Sequence, residues 1–389
     1  MARVLIVAKC PTHPTTAGNR RFILNQVELF KRMGHDVYFL YIMENALRAT
    51  NANNEDCINH MKEYWKDNFY SYNVGLLEKI RFNIIGKYRN LFNHGYKHCD
   101  DEYPHGLTKY VDLLNKKLKF DCCIVNYYTL SRLLIKTNIS LKGLVTHDYF
   151  SYKNLLLNQK KTWMGTSADQ EAKALQRSPH IFALNTEEGI YFSKLSPQSR
   201  IYNVFSVYEY YNSKIVGNKE LLFLSGPNQF NIDGLNWFLS VIFPEIVKVY
   251  PNVKLRIGGG ICKLLNHLKN SHNIELIGYV DDARLFYETA DIVINPTYQG
   301  TGLKIKTFEG ISYDKIVMAH PHSLIGIYQP EIAPIFASTN ANEWINALDL
   351  FWSYDYGIDE IKRVKEKNRL YIEKMNTYIE SEYSNFFAK

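Results

Sequence analysis

The stretch 292–318, IVINPTYQGTGLKIKTFEGISYDKIVM, constrains the fold more than any other part of this chain. Ile292–Asn295 and residues 316–318 are short β-branched and apolar runs, the first closed by Pro296, and so read as buried parallel strands rather than helix faces. Between them lie a loop with Gly300 and Gly302 and then residues 303–312, whose apolar positions recur at helical spacing. A helix that starts just past a Gly-x-Gly loop points unpaired backbone N–H groups, and the positive end of its dipole, into the adjoining crevice, which suits a phosphate. Lys304 and Lys306 add full charges there. Glu309 follows about two turns beyond Gly302, at roughly 3.6 residues per turn, where a carboxylate can accept two hydrogen bonds from a ribose diol. Each part also has an ordinary reading: a tight turn, solvated lysines and an exposed helix glutamate.

Size allows two domains of ordinary dimensions, since the chain has 389 residues. An apolar content of 46% against 22% charged residues, with no low-complexity segment, excludes disorder for the whole. No apolar run approaches the roughly 20 residues of a membrane span. Residues 1–8 lead straight into VLIVA with no small-residue cleavage site after it, so no signal peptide is expected. Cys10, Cys57, Cys99, Cys122, Cys123 and Cys262 lack metal-site spacing and read as reduced thiols of a cytoplasmic protein. The formal charge of +7 favours anionic partners such as nucleotide sugars or the inner face of a membrane without demanding nucleic acid.

From the N-terminus the pattern reads strand over 3–8, loop over 9–18, helix over 19–33, a turn at Gly34 and a strand over 36–42, a βαβ opening. Its loop, KCPTHPTTAGNRR, is not a dinucleotide fingerprint, and its single Gly18 opens a helix carrying Arg20 and Arg21. Residues 44–118 read as a helical insertion rich in aromatic and basic side chains, among them Tyr64, Trp65, Phe69, Tyr70, Tyr72, Lys79, Arg81, Phe82, Lys87, Tyr88, Arg89 and Phe92. Such a segment fits a lipid interface, as peripheral contact with a membrane face, or an ordinary insertion with core aromatics; both readings stay open. Strands over 120–125 and 143–146 follow, the second ending in His147 and Asp148, where residues past the carboxyl ends of parallel strands face the ligand crevice. A hydrogen-bonded loop histidine is the plain alternative. Glu171 falls on a helix over 167–177, either near the site or on the surface. Residues 206–220, polar and tyrosine-rich, make the linker. A second series then runs strand 221–225, loop 226–234 with Asn228 and Asn231, helix 235–250 interrupted at Pro244, strands 253–257 and 274–278, then Tyr279 and Val280 before a helix over 281–290. A long amphipathic helix spans 359 to about 387.

At Pro296, Gly300, Gly302, Lys304, Lys306 and Glu309 the chain resembles the donor-binding half of GT-B fold glycosyltransferases, in particular family 4-like (group 1) enzymes. Supporting motifs are MGHDV, similar to their GHEV, the THDYFSYK segment, and the Gly-aromatic-Val turn at Gly278, Tyr279 and Val280. The resemblance implies an α/β fold of two Rossmann-like, doubly wound parallel-sheet domains facing each other across a cleft. It assigns 1–205 to an acceptor-side domain with its insertion at about 44–118, 221–358 to the nucleotide-sugar domain, and 359–389 to a helix crossing back. It implies that Glu309 holds the ribose, that Gly300, Thr301, Gly302, Lys304 and Lys306 hold the pyrophosphate, and that Tyr279 and Val280 hold the base. Gly18 backs onto the phosphates, Arg20 or Arg21 meets phosphate or acceptor, and His147 serves the transferred sugar or the reaction centre, with Asp148 orienting the imidazole or an acceptor hydroxyl. One departure is Thr301, which stands where many members carry an earlier glutamate; that carboxylate's sugar contact has no counterpart here. Another is the loop after the strand at 221–225, which lacks the Arg and Lys usual there, leaving phosphate binding to Lys304, Lys306 and backbone N–H groups.

The implied activity is transfer of a hexose-type unit from a nucleoside diphosphate sugar to a hydroxyl of a glycan or lipid-linked acceptor, in bacterial surface polysaccharide assembly. Retention of configuration is inherited from the resemblance. No Asp-x-Asp motif stands in a suitable place, so no metal and no other cofactor is expected. Two alternatives are a sugar-nucleotide epimerase of the same fold and a catalytically silent nucleotide-sugar-binding subunit.

Overall fold

Every residue of β1 (Arg3–Ala8) after Arg3 is buried, and a strand covered on both faces is written as a continuous VLIVA run rather than an alternating one. In this computed structural model, which describes residues 1–15, 17–43, 55–92, 96–156 and 165–388, β1 lies inside a seven-stranded parallel sheet. Its other strands are β2 (Asp36–Met43), β3 (Phe69–Asn73), β4 (Cys122–Asn126), β5 (Leu141–Val145), β6 (His180–Ala183) and β7 (Arg200–Asn203), in the order β3-β2-β1-β4-β5-β6-β7. A second parallel sheet comprises β8 (Glu220–Leu224), β9 (Lys254–Gly258), β10 (Ile274–Gly278), β11 (Ile292–Asn295), β12 (Ile316–Ala319) and β13 (Ile335–Ala337), ordered β10-β9-β8-β11-β12-β13. Strand order reverses direction between β1 and β4 and again between β8 and β11. Crevices for ligands open at such switch points, past the strands' carboxyl ends.

Two compact units result: Met1–Val207 with Thr301–Leu303 and Ile379–Lys389, and Tyr208–Gly300 with Lys304–Tyr378. The helix Gly357–Phe387 therefore contributes its last turns to the first unit. There Tyr383 and Phe386, both fully buried, pack on Phe30 and Phe182, and Gln26 Nε2 donates to the Tyr383 hydroxyl at 2.7 Å. The second unit's core centres on Trp344 and Phe238 above the β8, β9 and β11 side chains.

The expected insertion needs correction in part. Residues 44–54 and 93–95 of it, and Thr16 of the first loop, lie outside the described residues. Phe69–Asn73, expected as helix, is β3, paired in parallel with β2 from Phe39↔Phe69 to Met43↔Asn73. Aromatic residues suit a half-buried pleated edge, and that preference wins over the helical reading of the flanks. Glu55–Trp65, Leu76–Phe92 and Leu107–Leu118 are helical as expected. The expected loop 226–234 is shorter, because Asn228 Oδ1 accepts the Asn231 N–H and starts a helix at Gln229. That helix is continued by a π-helical turn, Phe238–Ile242, placed where Pro244 withholds an N–H from the ladder. Asp282 likewise caps a helix of only five residues, Ala283–Tyr287, in place of the longer one expected over 281–290.

Candidate active site

At the carboxyl end of β11 the chain turns through Gly300 and Gly302, with φ of 129° and 82°. L-side chains avoid both conformations, and at Gly300 a Cβ would also stand 3.2 Å from the Phe230 ring. The helix Ile305–Ser312 starts directly afterwards with no side chain capping it, so its first-turn N–H groups face outward at the β8/β11 switch point. Its aim is fixed from below. Buried Asn295 donates from Nδ2 to Thr307 Oγ1 at 2.9 Å, and Phe308 and Ile311 are fully buried.

Around that helix start the charged groups are held in place. Lys306 Nζ donates to Asn231 Oδ1 at 2.6 Å, and Asn231 Nδ2 donates to the Gly226 carbonyl at 3.0 Å. Burial pushes the Lys306 ammonium down to about 8, with Glu309 opposing and Lys304 reinforcing the shift. Lys304 Nζ lies 3.1 Å from His322 Nε2, and the same ring nitrogen lies 3.1 Å from the Gly300 carbonyl. One nitrogen cannot serve both: protonated, it donates to Gly300; unprotonated, it accepts from Lys304. Burial, aided by the Lys304 charge, holds this imidazole down at about 4, so it is neutral at neutral pH. Tyr287 Oη donates to Glu309 Oε2 at 3.4 Å, and the Tyr287 ring stacks on Tyr313 at 4.6 Å. Thr301 Oγ1 is buried without a hydrogen-bond partner among the described residues.

Past β10, Gly278 adopts a φ of 80° and its carbonyl accepts the Gly259 N–H at 2.7 Å. This turn sends Tyr279 outward, 76% exposed, and Val280 inward onto the apolar cluster that contains Tyr287. Five of the predicted residues (Lys304, Lys306, Glu309, Gly300 and Val280) are thus linked through Asn231, His322 and Tyr287 within the second unit.

In the first unit, His147 follows β5 with a φ of 67°. Its ring stacks on Tyr127 at 4.2 Å and meets the edge of Phe22 at 5.4 Å. Asn126, buried at the end of β4, turns its Nδ2 to the Val7 carbonyl at 3.4 Å and its Oδ1 to His147 Nε2 at 2.8 Å. That assignment makes Nε2 the protonated nitrogen and leaves Nδ1 with a lone pair. Burial lowers the His147 pKa to about 3, so the ring is a neutral acceptor rather than a cation. Asp148 does not orient the imidazole: its Oδ2 pairs with Lys153 Nζ at 2.6 Å and its Oδ1 accepts the Tyr149 N–H at 3.0 Å. Glu171 is buried and accepts the N–H groups of Phe150 and Ser151 at 2.9 and 3.1 Å, capping the helix Phe150–Leu156 that His147 precedes. Burial raises its pKa to about 7. Gly18 opens the helix Gly18–Arg32, which also carries half-buried Arg21 and, next to it, Phe22. Asn19 on that helix donates to the Tyr127 hydroxyl at 2.8 Å, tying it to the His147 stack.

Among the described residues one trio has metal-ligand types in reach of one another, His98, Cys99 and Asp100. Asp100 there is committed to Arg177 through two bonds of 2.6 and 2.9 Å, and burial pushes the Cys99 thiol up to about 11.

Residues 218–352 match the family model described as glycosyl transferases group 1. But for residues 301–303, the match lies within the second unit, which is similar to the corresponding part of group 1 glycosyltransferases. A curated relative, an uncharacterized 44.6 kDa protein in a cps region of Klebsiella pneumoniae, is 25% identical over 355 residues, covering 82% of this chain and 83% of its own. Among solved structures, sucrose-phosphate synthase from Thermosynechococcus elongatus superposes with a TM-score of 0.66 at 11% identity, with both chains fully covered. S. aureus TarM, in a complex that includes alpha-GlcNAc-glycerol and UDP, does so with a TM-score of 0.64 at 12% identity, again over the whole of both chains. The chain has the GT-B type of fold expected of it, two parallel sheets of seven and six strands with flanking helices. Asn126, His322 and Tyr287 are residues of its candidate site that motif reading passes over. Asn231 stands out in the sequence only as one asparagine of a loop.

Proposed function

We propose that this glycosyltransferase moves a sugar from a nucleoside diphosphate sugar to a hydroxyl of a glycan or lipid-linked acceptor, with retention of configuration, in surface polysaccharide assembly. The observation that carries the reading is the uncapped helix start at Ile305 with Lys304 and Lys306 beside it and Glu309 a turn further on. Breaking a glycosidic bond to a diphosphate leaves negative charge on the leaving group. Fixed N–H groups and ammonium ions at that position stabilise it, each well-aimed donor being worth about 10²–10³ in rate. In this reading Glu309 accepts the ribose hydroxyls, Thr301 meets the donor with its orphaned hydroxyl, and Tyr279 and Val280 border the base. Gly18 and Arg21 serve the phosphates. The leaving phosphate takes the acceptor's proton, so no carboxylate pair is required, and His147 Nδ1 accepts a hydrogen bond from a sugar hydroxyl. Positive charge comes from the protein, and no metal is invoked. The presence of UDP in the TarM complex and the cps-region setting of the curated relative support the donor class and the polysaccharide setting.

Incubation of the pure protein with a panel of nucleoside diphosphate sugars tests this. Slow release of nucleoside diphosphate, unaffected by a chelator, is the expected result. Formation of an isomeric sugar nucleotide would assign an epimerase, and no turnover of any donor would assign a silent binding subunit.

A further inference from the structure

The helix Leu76–Phe92 presents two unlike faces. Its inward face is fully engaged with the first unit. Phe82 packs against the main core cluster, Arg89 pairs with Asp101 at 3.2 Å, and Glu78 accepts from the Tyr72 hydroxyl and the Gly106 N–H, each at 3.2 Å. Its outward face is apolar. Leu77, Ile80, Ile84 and Tyr88 recur every three or four residues and so form one stripe; they are 82%, 46%, 63% and 65% exposed, with Phe92 at 73% beside them. Tyr88 and Phe92 meet at 5.2 Å between ring centres, giving the stripe an aromatic end. Exposed Arg81 and Lys87 flank the stripe on its two sides, while the helix's one acidic residue, Glu78, is turned to the protein. Scattered exposed apolar residues need no explanation, but a contiguous stripe on one helix marks a contact surface.

We propose that this face docks on an anionic lipid surface, the helix lying in the plane of the headgroups. The charge pattern selects the occupant. A second copy of the chain, meeting the stripe about a two-fold axis, would bring Arg81 and Lys87 toward their own counterparts and repel. An acidic glycan would satisfy the cations and leave the apolar stripe in water. A bilayer with anionic headgroups takes both, the leucine and isoleucines entering the acyl boundary, the tyrosine ring lodging at headgroup level and the arginine and lysine reaching out to phosphates. The helix does not cross the bilayer, as no described helix is long and apolar enough. Because the inward face is already packed, docking needs no refolding. The inference is independent of the donor reading, since none of these residues belongs to the candidate site.

Vesicle co-sedimentation of the full chain tests it, comparing phosphatidylcholine alone with phosphatidylcholine containing phosphatidylglycerol. The wild-type protein should pellet with the anionic vesicles and be released by high salt. I84N/Y88N should lower the bound fraction by about tenfold or more, and R81E/K87E should abolish the preference for phosphatidylglycerol, both with an unchanged circular dichroism melt. No binding of the wild-type protein to anionic vesicles overturns the proposal, as does equal binding by I84N/Y88N. A concentration-dependent dimer in sedimentation velocity that I84N/Y88N abolishes would also overturn it, by assigning the stripe to a second copy.

Discussion

Lys306 carries opposing demands at the scale of one residue. Burial lowers its pKa from 10.5 to about 8, so between those values the unfolded chain holds a proton that the folded chain has lost. Stability contributed by this group therefore rises with pH from about 8 to 10.5, and at pH 7 the charged form is a cost to the fold. Lys306→Met is accordingly expected to melt no lower than wild type at pH 7, by differential scanning calorimetry, while losing affinity for a nucleoside diphosphate. In the wild type that affinity should fall as pH rises past about 8, and Lys306→Arg should flatten the profile. Glu309→Ala removes a charged acceptor worth about 1.5–3 kcal/mol, so titration calorimetry should give donor binding weaker by roughly tenfold or more; unchanged affinity would remove its ribose role. His147→Ala should lower turnover with little change in donor affinity, and wild-type rates would return His147 to a packing role. The glycine loop at Gly300 and Gly302 and His147 are legible in the sequence because short-range order announces them: glycine spacing, then charge, then helix for the loop, and a strand end for His147. Asn126 and Asn231 are not, since their roles follow from strand order and helix capping that bring distant residues together. Asp148 is adjacent to His147 in sequence but points to Lys153, so adjacency misdirects its expected orienting role.

Strands that are buried on both faces leave continuous apolar runs, and β1, β2, β4, β8 and β11 can be read directly from them. β3 could not, because an aromatic edge strand between two helices carries no such run and its partner, β2, is some thirty residues away. The helix from Gln229 was hidden by asparagines that look like a loop and in fact cap it. The helix Phe150–Leu156 has its cap supplied from a different element, by Glu171. Glu171→Ala should leave two buried N–H groups without an acceptor, at about 1–3 kcal/mol each when unsatisfied. Offsetting this, the wild-type carboxyl, raised to about 7, stabilises the folded chain most below pH 4.5 and progressively less as pH rises through 7. The loss in the variant should therefore be larger at pH 5 than at pH 8 in urea unfolding, and a pH-independent difference would speak against the buried, titrating cap.

For the whole molecule, the pattern of two doubly wound halves is visible in the order of strand and helix signals, but the allotment of the last helix is not. Its amphipathic spacing is continuous from one end to the other, and only tertiary packing divides it, giving Tyr383 and Phe386 to the first unit. Ending the chain after residue 378 should thus damage a unit whose main segment ends as far back as Val207. Removal of one large buried aromatic costs about 3–5 kcal/mol, so the first unit of the truncated protein should lose its cooperative melt or become protease-sensitive. A truncated protein as stable as the full chain would refute that dependence. The same arrangement bears on how the polypeptide is made. The ribosome delivers β1 well before the aromatic wedge that seals the layer behind β6, which follows the second unit in the chain. The half that is synthesised earliest is consequently the later of the two to be completed, and the nascent chain must carry it unsealed while the other half is already able to fold.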